Sequence, residues 1–282
     1  MWFPTITAHT GCDGSVPNTI ASAIAGFALG ADIVEVDVRT TADGVLVLAH
    51  DDLVGSRGGT ARDPGDITPD RGEIAPVRGG VERIRGGEGG GAHDAGRDGR
   101  LSVSRSALAD LNSVRGAGLA PTLDELFDAI PADGRVNLDL KDDLAVPLVV
   151  EFVARRGVHD RVHLTGCEAE RARVALLLKP PFPVYLNTAF GTGAEGAAPS
   201  RETFRAECDL ARETGCRGLN IAHGYCTPDL VAAARERGLA VSVWTVEPRD
   251  GFARFVDLAV DNITTRSVAA FVGFRASRVS RA

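Results

Sequence analysis

The sequence predicts an α/β fold, a closed (β/α)8 barrel, and two observations carry the prediction. Short β-branched runs alternate with helix-like segments along most of the 282 residues, and about eight such units imply a parallel sheet closed on itself. No GxGxxG or GxxxxGK[ST] motif follows the first strand-like run, which removes the usual nucleotide-binding form of the competing open, doubly wound sheet.

The elements follow in order. Residues 5–9 read as a strand, and 18–29 as a helix opened by a polar cap and closed at Gly30. A second strand covers 33–40, and the chain turns at Asp43-Gly44 to run back through 45–50. Later strands are expected at 135–141, 162–165, 184–187, 218–222, 240–246 and 262–264, with helices at 122–129, 144–156, 168–178, 201–214, 228–237 and 250–258. One stretch breaks the rhythm. Residues 55–105 hold 14 of the 33 glycines and no Phe, Trp or Tyr, too little apolar surface for a core of their own. The chain therefore reads as one domain, 1–282, carrying a Gly-rich insertion or lid at 55–105, with disorder as the alternative.

Composition bounds the function. A 44% hydrophobic, 24% charged chain can bury a sizeable core, and its net charge of −7 argues against a protein held to nucleic acid by its field. No apolar run approaches the ~20 residues of a membrane span. Five cysteines, with no CxxC pair, fit a reducing compartment, so a soluble cytoplasmic protein is expected.

The chemistry-bearing residues gather at strand ends. Glu35 and Asp37 lie two apart on one strand and share a face. A two-residue hairpin at Asp43-Gly44 sets His50 opposite Asp37, whereas a three-residue loop shifts the register by one. His9 ends the first strand, and Asp139 with Lys141 repeats the i, i+2 spacing. Three carboxylates on one rim call for a cation, and hard oxygen donors suit Mg²⁺ or Ca²⁺. Two histidines beside such a metal suit general acid and base work. Lys141 is one of only two lysines among 31 basic residues. These groups point to phosphodiester cleavage. His93, His159, His163 and His223 form no comparable cluster.

The order of motifs is also familiar. Ala8-His9-Thr10-Gly11, Pro17-Asn18-Thr19, Gly30 through Val38, Asp43-Gly44 and Ala49-His50-Asp51 come first. Pro121-Thr122-Leu123-Asp124-Glu125, Asn137 through Lys141, Val243-Trp244-Thr245-Val246 and Val260 through Thr265 follow. This series resembles the glycerophosphodiester phosphodiesterase family over nearly the whole chain apart from 55–105. The resemblance implies a TIM-type barrel and one divalent metal held by Glu35, Asp37 and Asp139. It implies His9 and His50 as the acid/base pair, Lys141 at the phosphate, and a role in lipid metabolism. The substrate is expected to be a small-molecule phosphodiester, yielding glycerol 3-phosphate and an alcohol.

Three departures from the family pattern stand out. Thr10 occupies the place of an arginine, Pro17 that of a glutamate, and Asp139 that of a longer glutamate. A hydroxyl cannot give the bidentate phosphate grip of a guanidinium, and Arg39, two residues beyond Asp37, is the expected substitute. Asp139 is similar to its counterpart in spider-toxin-type phospholipases D. A lyase forming a cyclic phosphate is therefore one alternative, and a catalytically dead phosphate-binding barrel another. The absence of aromatics from 55–105 favours a water-soluble diester.

Overall fold

The computed structural model of the chain describes residues 2–55, 100–115, 120–190 and 199–280. Along the chain, β1 (Thr5–Ala8), α1 (Ile20–Ala28) and β2 (Ile33–Thr40) come first. An excursion of β3 (Leu46–Leu48), β4 (Leu53–Gly55), β5 (Arg100–Ser102) and α2 (Leu108–Arg115) follows. Then come α3 (Leu123–Ala129), β6 (Arg135–Leu140), α4 (Ala145–Arg156), β7 (Val162–Cys167), α5 (Ala169–Leu177) and β8 (Val184–Asn187). The chain ends with α6 (Arg201–Thr214), β9 (Gly218–Ala222), α7 (Pro228–Glu236), β10 (Ala240–Trp244), α8 (Phe252–Asp257), β11 (Asn262–Thr265) and α9 (Val268–Val279).

Eight parallel strands close a barrel, because β1 pairs with β2 on one side (Thr7 with Ile33) and with β11 on the other (Thr5 with Asn262). The apolar outward faces (Ile6, Val34, Val36, Val136, Leu138, Leu164) are almost fully buried under the helices, each side chain contributing roughly 1.5–3 kcal/mol by leaving water. The inward face is polar. Asn262 Oδ1 accepts from the Thr5 and Thr7 hydroxyls at 2.9 and 2.8 Å, and its amide donates to Ser242 Oγ at 3.0 Å. Thr165 Oγ1 donates to Asn137 Oδ1 at 3.0 Å, and Asn220 Nδ2 to Asn187 Oδ1 at 3.2 Å. Mutual hydrogen bonds remove the desolvation penalty that lone buried amides and hydroxyls would carry.

Local rules explain the helix ends. Thr122 and Glu125 form a capping box on α3, and Thr227 caps α7 ahead of Pro228. Helix α9, absent from the sequence expectation, is capped from the opposite end of the chain: Val268 N–H donates to Asp13 Oδ2 at 2.9 Å. Its Phe271 meets Phe252 of α8 edge-to-face at 4.8 Å.

The turn after β2 corrects the two-residue hairpin expectation. Val38, Arg39 and Thr40 pair with Leu48, Val47 and Leu46, leaving the three-residue loop 42–44, with Gly44 at φ +78°. Thr41 N–H donates to the Val45 carbonyl at 3.0 Å, and the Asp43 carboxylate accepts from Thr41 Oγ1 and Leu108 N–H. The one-residue shift sets Ala49 across from Asp37 (Ala49 N–H to Asp37 carbonyl, 3.1 Å) and carries His50 one place further.

Most of the Gly-rich stretch, 56–99, lies outside the described residues, as does His93. Its flanks are clasped: β4 and β5 pair antiparallel, Leu53 with Ser102 and Val54 with Leu101. They share a small core of Val47, Ala49, Val54, Leu101, Val103 and Leu111. Among the described residues no helix is long and apolar enough to cross a membrane, and all five cysteines are buried free thiols.

Candidate active site

Glu35 and Asp37 stand on the inward face of β2, and the parallel register sets Asp139 of β6 beside Asp37. Their carboxylate oxygens lie within 4.8 Å of one another, in the one group of this kind among the described residues. Lys141, just after β6, reaches Asp37 Oδ1 at 3.0 Å and Asp139 Oδ1 at 3.3 Å. Glu35 Oε2 accepts the Thr10 N–H at 3.0 Å. Asp37 is held twice by Asn18, whose Nδ2 donates to Oδ2 at 2.8 Å and whose Oδ1 accepts the Asp37 N–H at 3.0 Å. Asn18 sits at φ +54°, a conformation asparagine tolerates better than most residues. Its own N–H donates to Thr10 Oγ1 at 2.5 Å. The hydroxyl at position 10 thus braces the turn that carries Asn18.

Charge explains what this arrangement lacks. Three carboxylates and one ammonium leave two negative charges uncompensated, the charge of one divalent cation. Burial, then Asp37 and Asp139, push the Glu35 carboxyl well above its ordinary range. Burial would also raise Asp37, but Lys141, His50, His9 and the Asn18 amide outweigh it and hold that carboxyl below its usual value. Lys141, which burial alone would lower, is raised by Asp139, Asp37 and Glu35. An all-oxygen set with this excess charge fits a hard divalent ion.

The two expected histidines occupy different surroundings. The His9 side chain is 19% exposed, and its Nδ1 lies 2.9 Å from the Thr10 carbonyl, which can only accept, so Nδ1 carries the proton. Burial first, then Arg266, lower its pKa to about 4, leaving a neutral ring with a lone pair on Nε2. His50 is 64% exposed, with Nδ1 2.8 Å from Asp51 Oδ1. Its charge acts on Asp37. Arg39, the expected phosphate ligand, donates from Nε to the His50 carbonyl at 2.8 Å and so positions the backbone of that histidine.

The model of the glycerophosphoryl diester phosphodiesterase family matches residues 9–169, which contain all of these groups except Arg266. The chain belongs to this family. The family is one of phosphoric diester hydrolases, and this chain is an enzyme of that class. A Mycobacterium tuberculosis protein named "Probable glycerophosphodiester phosphodiesterase 2" is 29% identical over 245 residues, covering 84% of this chain and 76% of that protein. A glycerophosphodiester phosphodiesterase of Caldanaerobacter subterraneus is 23% identical over 277 residues, covering 92% and 93%. Two solved structures share the fold. A phosphodiesterase of Oleispira antarctica, in complex with its product sn-glycerol-3-phosphate, superposes with TM-score 0.66 at 21% identity, covering 96% of each chain. The glycerophosphodiester phosphodiesterase of Agrobacterium tumefaciens gives 0.66 at 18%, covering 96% and 100%.

Three groups at the site of this family member escaped the sequence reading. Asn18 was quoted only within a motif, though asparagine between Pro17 and Thr19 is a turn signal. Trp244, at the end of β10 and likewise named only within a motif, carries a buried indole N–H with no acceptor among the described residues. Arg266, directly after β11, places Nη2 3.5 Å from His9 Nε2, and no local pattern could connect residues at opposite ends of the chain.

Proposed function

We propose that this chain is a divalent-metal-dependent hydrolase of water-soluble glycerophosphodiesters, releasing glycerol 3-phosphate and an alcohol. The observation that carries the reading is the buried carboxylate triad, short of two positive charges, beside a histidine kept neutral with Nε2 free to take a proton. Glu35, Asp37 and Asp139 would hold Mg²⁺ or Ca²⁺, and the bound ion would polarise a phosphoryl oxygen and offset charge developing there. His9 Nε2 takes the proton of the attacking hydroxyl, either that of water or the substrate's own glycerol hydroxyl, in which case water then opens the cyclic phosphate to glycerol 3-phosphate. His50, oriented by Asp51 and anchored through its carbonyl by Arg39, protonates the departing alcohol. Lys141 pairs with two of the carboxylates and holds them in place. The chain acts as a single catalytic domain with 55–105 inserted. Buried free thiols fit a reducing, cytoplasmic setting, and membership of the phosphodiesterase family fits a role in lipid metabolism.

The test is product release from glycerophosphocholine by the purified protein with Mg²⁺, Ca²⁺ or EDTA. Glycerol 3-phosphate formed with metal and lost with EDTA is the expected result, and His9→Ala or His50→Ala should each lower kcat by roughly 10²- to 10⁴-fold. A cyclic phosphate as the lasting product would replace hydrolysis by the lyase reaction. No turnover with either metal would sink the reading.

A further inference from the structure

A phosphodiester carries a negative charge on its non-bridging oxygens, and a site that cleaves it needs a cation free to meet them. Three cations stand close to the carboxylates and histidines, and two are engaged. Lys141 is bound between Asp37 and Asp139, and Arg39 gives its Nε to the His50 carbonyl. Position 10 supplies no cation, since the Thr10 hydroxyl is buried and accepts the Asn18 N–H. Arg266 remains. The β1–β11 register, Ala8 beside Thr265, places the next residues, His9 and Arg266, as neighbours on the rim. The backbone of Arg266 is fixed on both sides: its carbonyl accepts the Asp13 N–H at 2.7 Å, and its N–H donates to Glu247 Oε1 at 3.4 Å. Its guanidinium is exposed and makes no ion pair with a carboxylate among the described residues. Its contact with His9 Nε2, at 3.5 Å, is at the limit of hydrogen bonding.

We propose that Arg266 grips the non-bridging phosphate oxygens of the substrate, supplying from the last strand the guanidinium that position 10 lacks. The inference rests on the phosphodiesterase reading above. A guanidinium beside His9 Nε2 exchanges a long contact to a neutral ring for charge-assisted, bidentate bonds to phosphate. It thereby brings the phosphate next to the atom that must take the proton.

The experiment measures binding as well as turnover. Wild type, Arg266→Ala, Arg266→Lys and Arg39→Ala are loaded with Mg²⁺ and titrated with glycerol 3-phosphate and with inorganic phosphate by calorimetry. Thermal unfolding is recorded for each. Arg266→Ala should weaken both Kd values by roughly 10- to 100-fold, the range of a hydrogen bond to a charged group, with an unchanged Tm because the side chain is exposed and makes only the long contact to His9. Arg266→Lys should recover only part of the loss, since an ammonium cannot bind two oxygens in a fork. The proposal is overturned if Arg266→Ala binds both probes within twofold of wild type. It is equally overturned if Arg39→Ala alone loses them, or if the wild-type protein binds neither. Failure of the function reading is distinguishable: wild type would then bind phosphate through Arg266 yet release nothing from glycerophosphocholine.

Discussion

Gly166, near the end of β7, should be the least substitutable residue close to the carboxylates. It sits at φ +67°, and a Cβ there would run into Asp139 Oδ1 and the Leu140 carbonyl and lie 2.6 Å from the Leu140 nitrogen. Gly166→Ala therefore combines left-handed strain, about 1–2 kcal/mol, with overpacking of about 1–3 kcal/mol. The sum is roughly 2–5 kcal/mol, or a Tm lower by roughly 4–20 °C at about 2–4 °C per kcal/mol. The strain acts throughout the fold, but the collision acts on a metal-ligand candidate. Gly157 separates the two effects, because it has φ +65° and nothing within 4 Å of its would-be Cβ. Gly157→Ala should show the strain alone and leave the metal response intact. The assay is thermal unfolding with increasing Mg²⁺ or Ca²⁺. A tenfold loss of affinity in Gly166→Ala removes about 1.4 kcal/mol of metal-linked stabilisation at saturating ion. Equal Tm losses in the two alanine variants, with identical metal titrations, would refute the argument that this glycine makes room for Asp139.

Three further outcomes are expected. Asn18→Gly keeps the left-handed backbone but deletes both hydrogen bonds to Asp37. It should lose roughly 1–3 kcal/mol by urea unfolding and bind the divalent ion more weakly, and unaltered metal binding would count against Asn18 as the support of Asp37. Lys141→Met removes the one cation paired with Asp37 and Asp139. The metal-free protein should melt earlier, while the Tm gain on adding Mg²⁺ should exceed that of wild type, because the triad has become more negative; a smaller gain would contradict the charge count. His163, half-buried against the Tyr185 ring at 5.4 Å, has its pKa lowered to about 3 by burial and by Arg135. The unfolded chain binds this proton first, so the stability His163 contributes is full above about pH 6.5 and is lost as pH falls toward 3. His163→Gln should flatten that limb by about 2–4 kcal/mol, as read from urea midpoints between pH 7 and 4.

The barrel was legible because its signal is repeated: β-branched runs at regular intervals mark each strand, and β2, β8 and β9 begin and end where their composition places them. Glu35 and Asp37 were legible by the same periodicity, since i, i+2 spacing assigns both to one face, while Asp139 joins them through the parallel register of β6 beside β2. The exceptions were set by local backbone or by distance in sequence. Gly44 is left-handed but Asp43 is not, whereas a two-residue type I′ turn needs both, so the turn takes three residues and the register of His50 changes. The partners of Asp37 and His9 that lie in loops, Asn18 and Arg266, depend on which strand ends become neighbours. Thr10 read as the loss of a charge, while in the fold its hydroxyl organises the turn that grips Asp37.

The β4–β5 clasp divides the chain in a way its linear order conceals. Entry to and exit from 56–99 are hydrogen-bonded to each other, and the small core beneath them is made of residues outside that span. The pairing makes residues 55 and 100 neighbours, so the described elements on either side meet as though one residue led straight to the other. Because the two flanks meet there, this point of the chain is a natural junction at which a segment can be accepted or shed while residues 55 and 100 stay side by side.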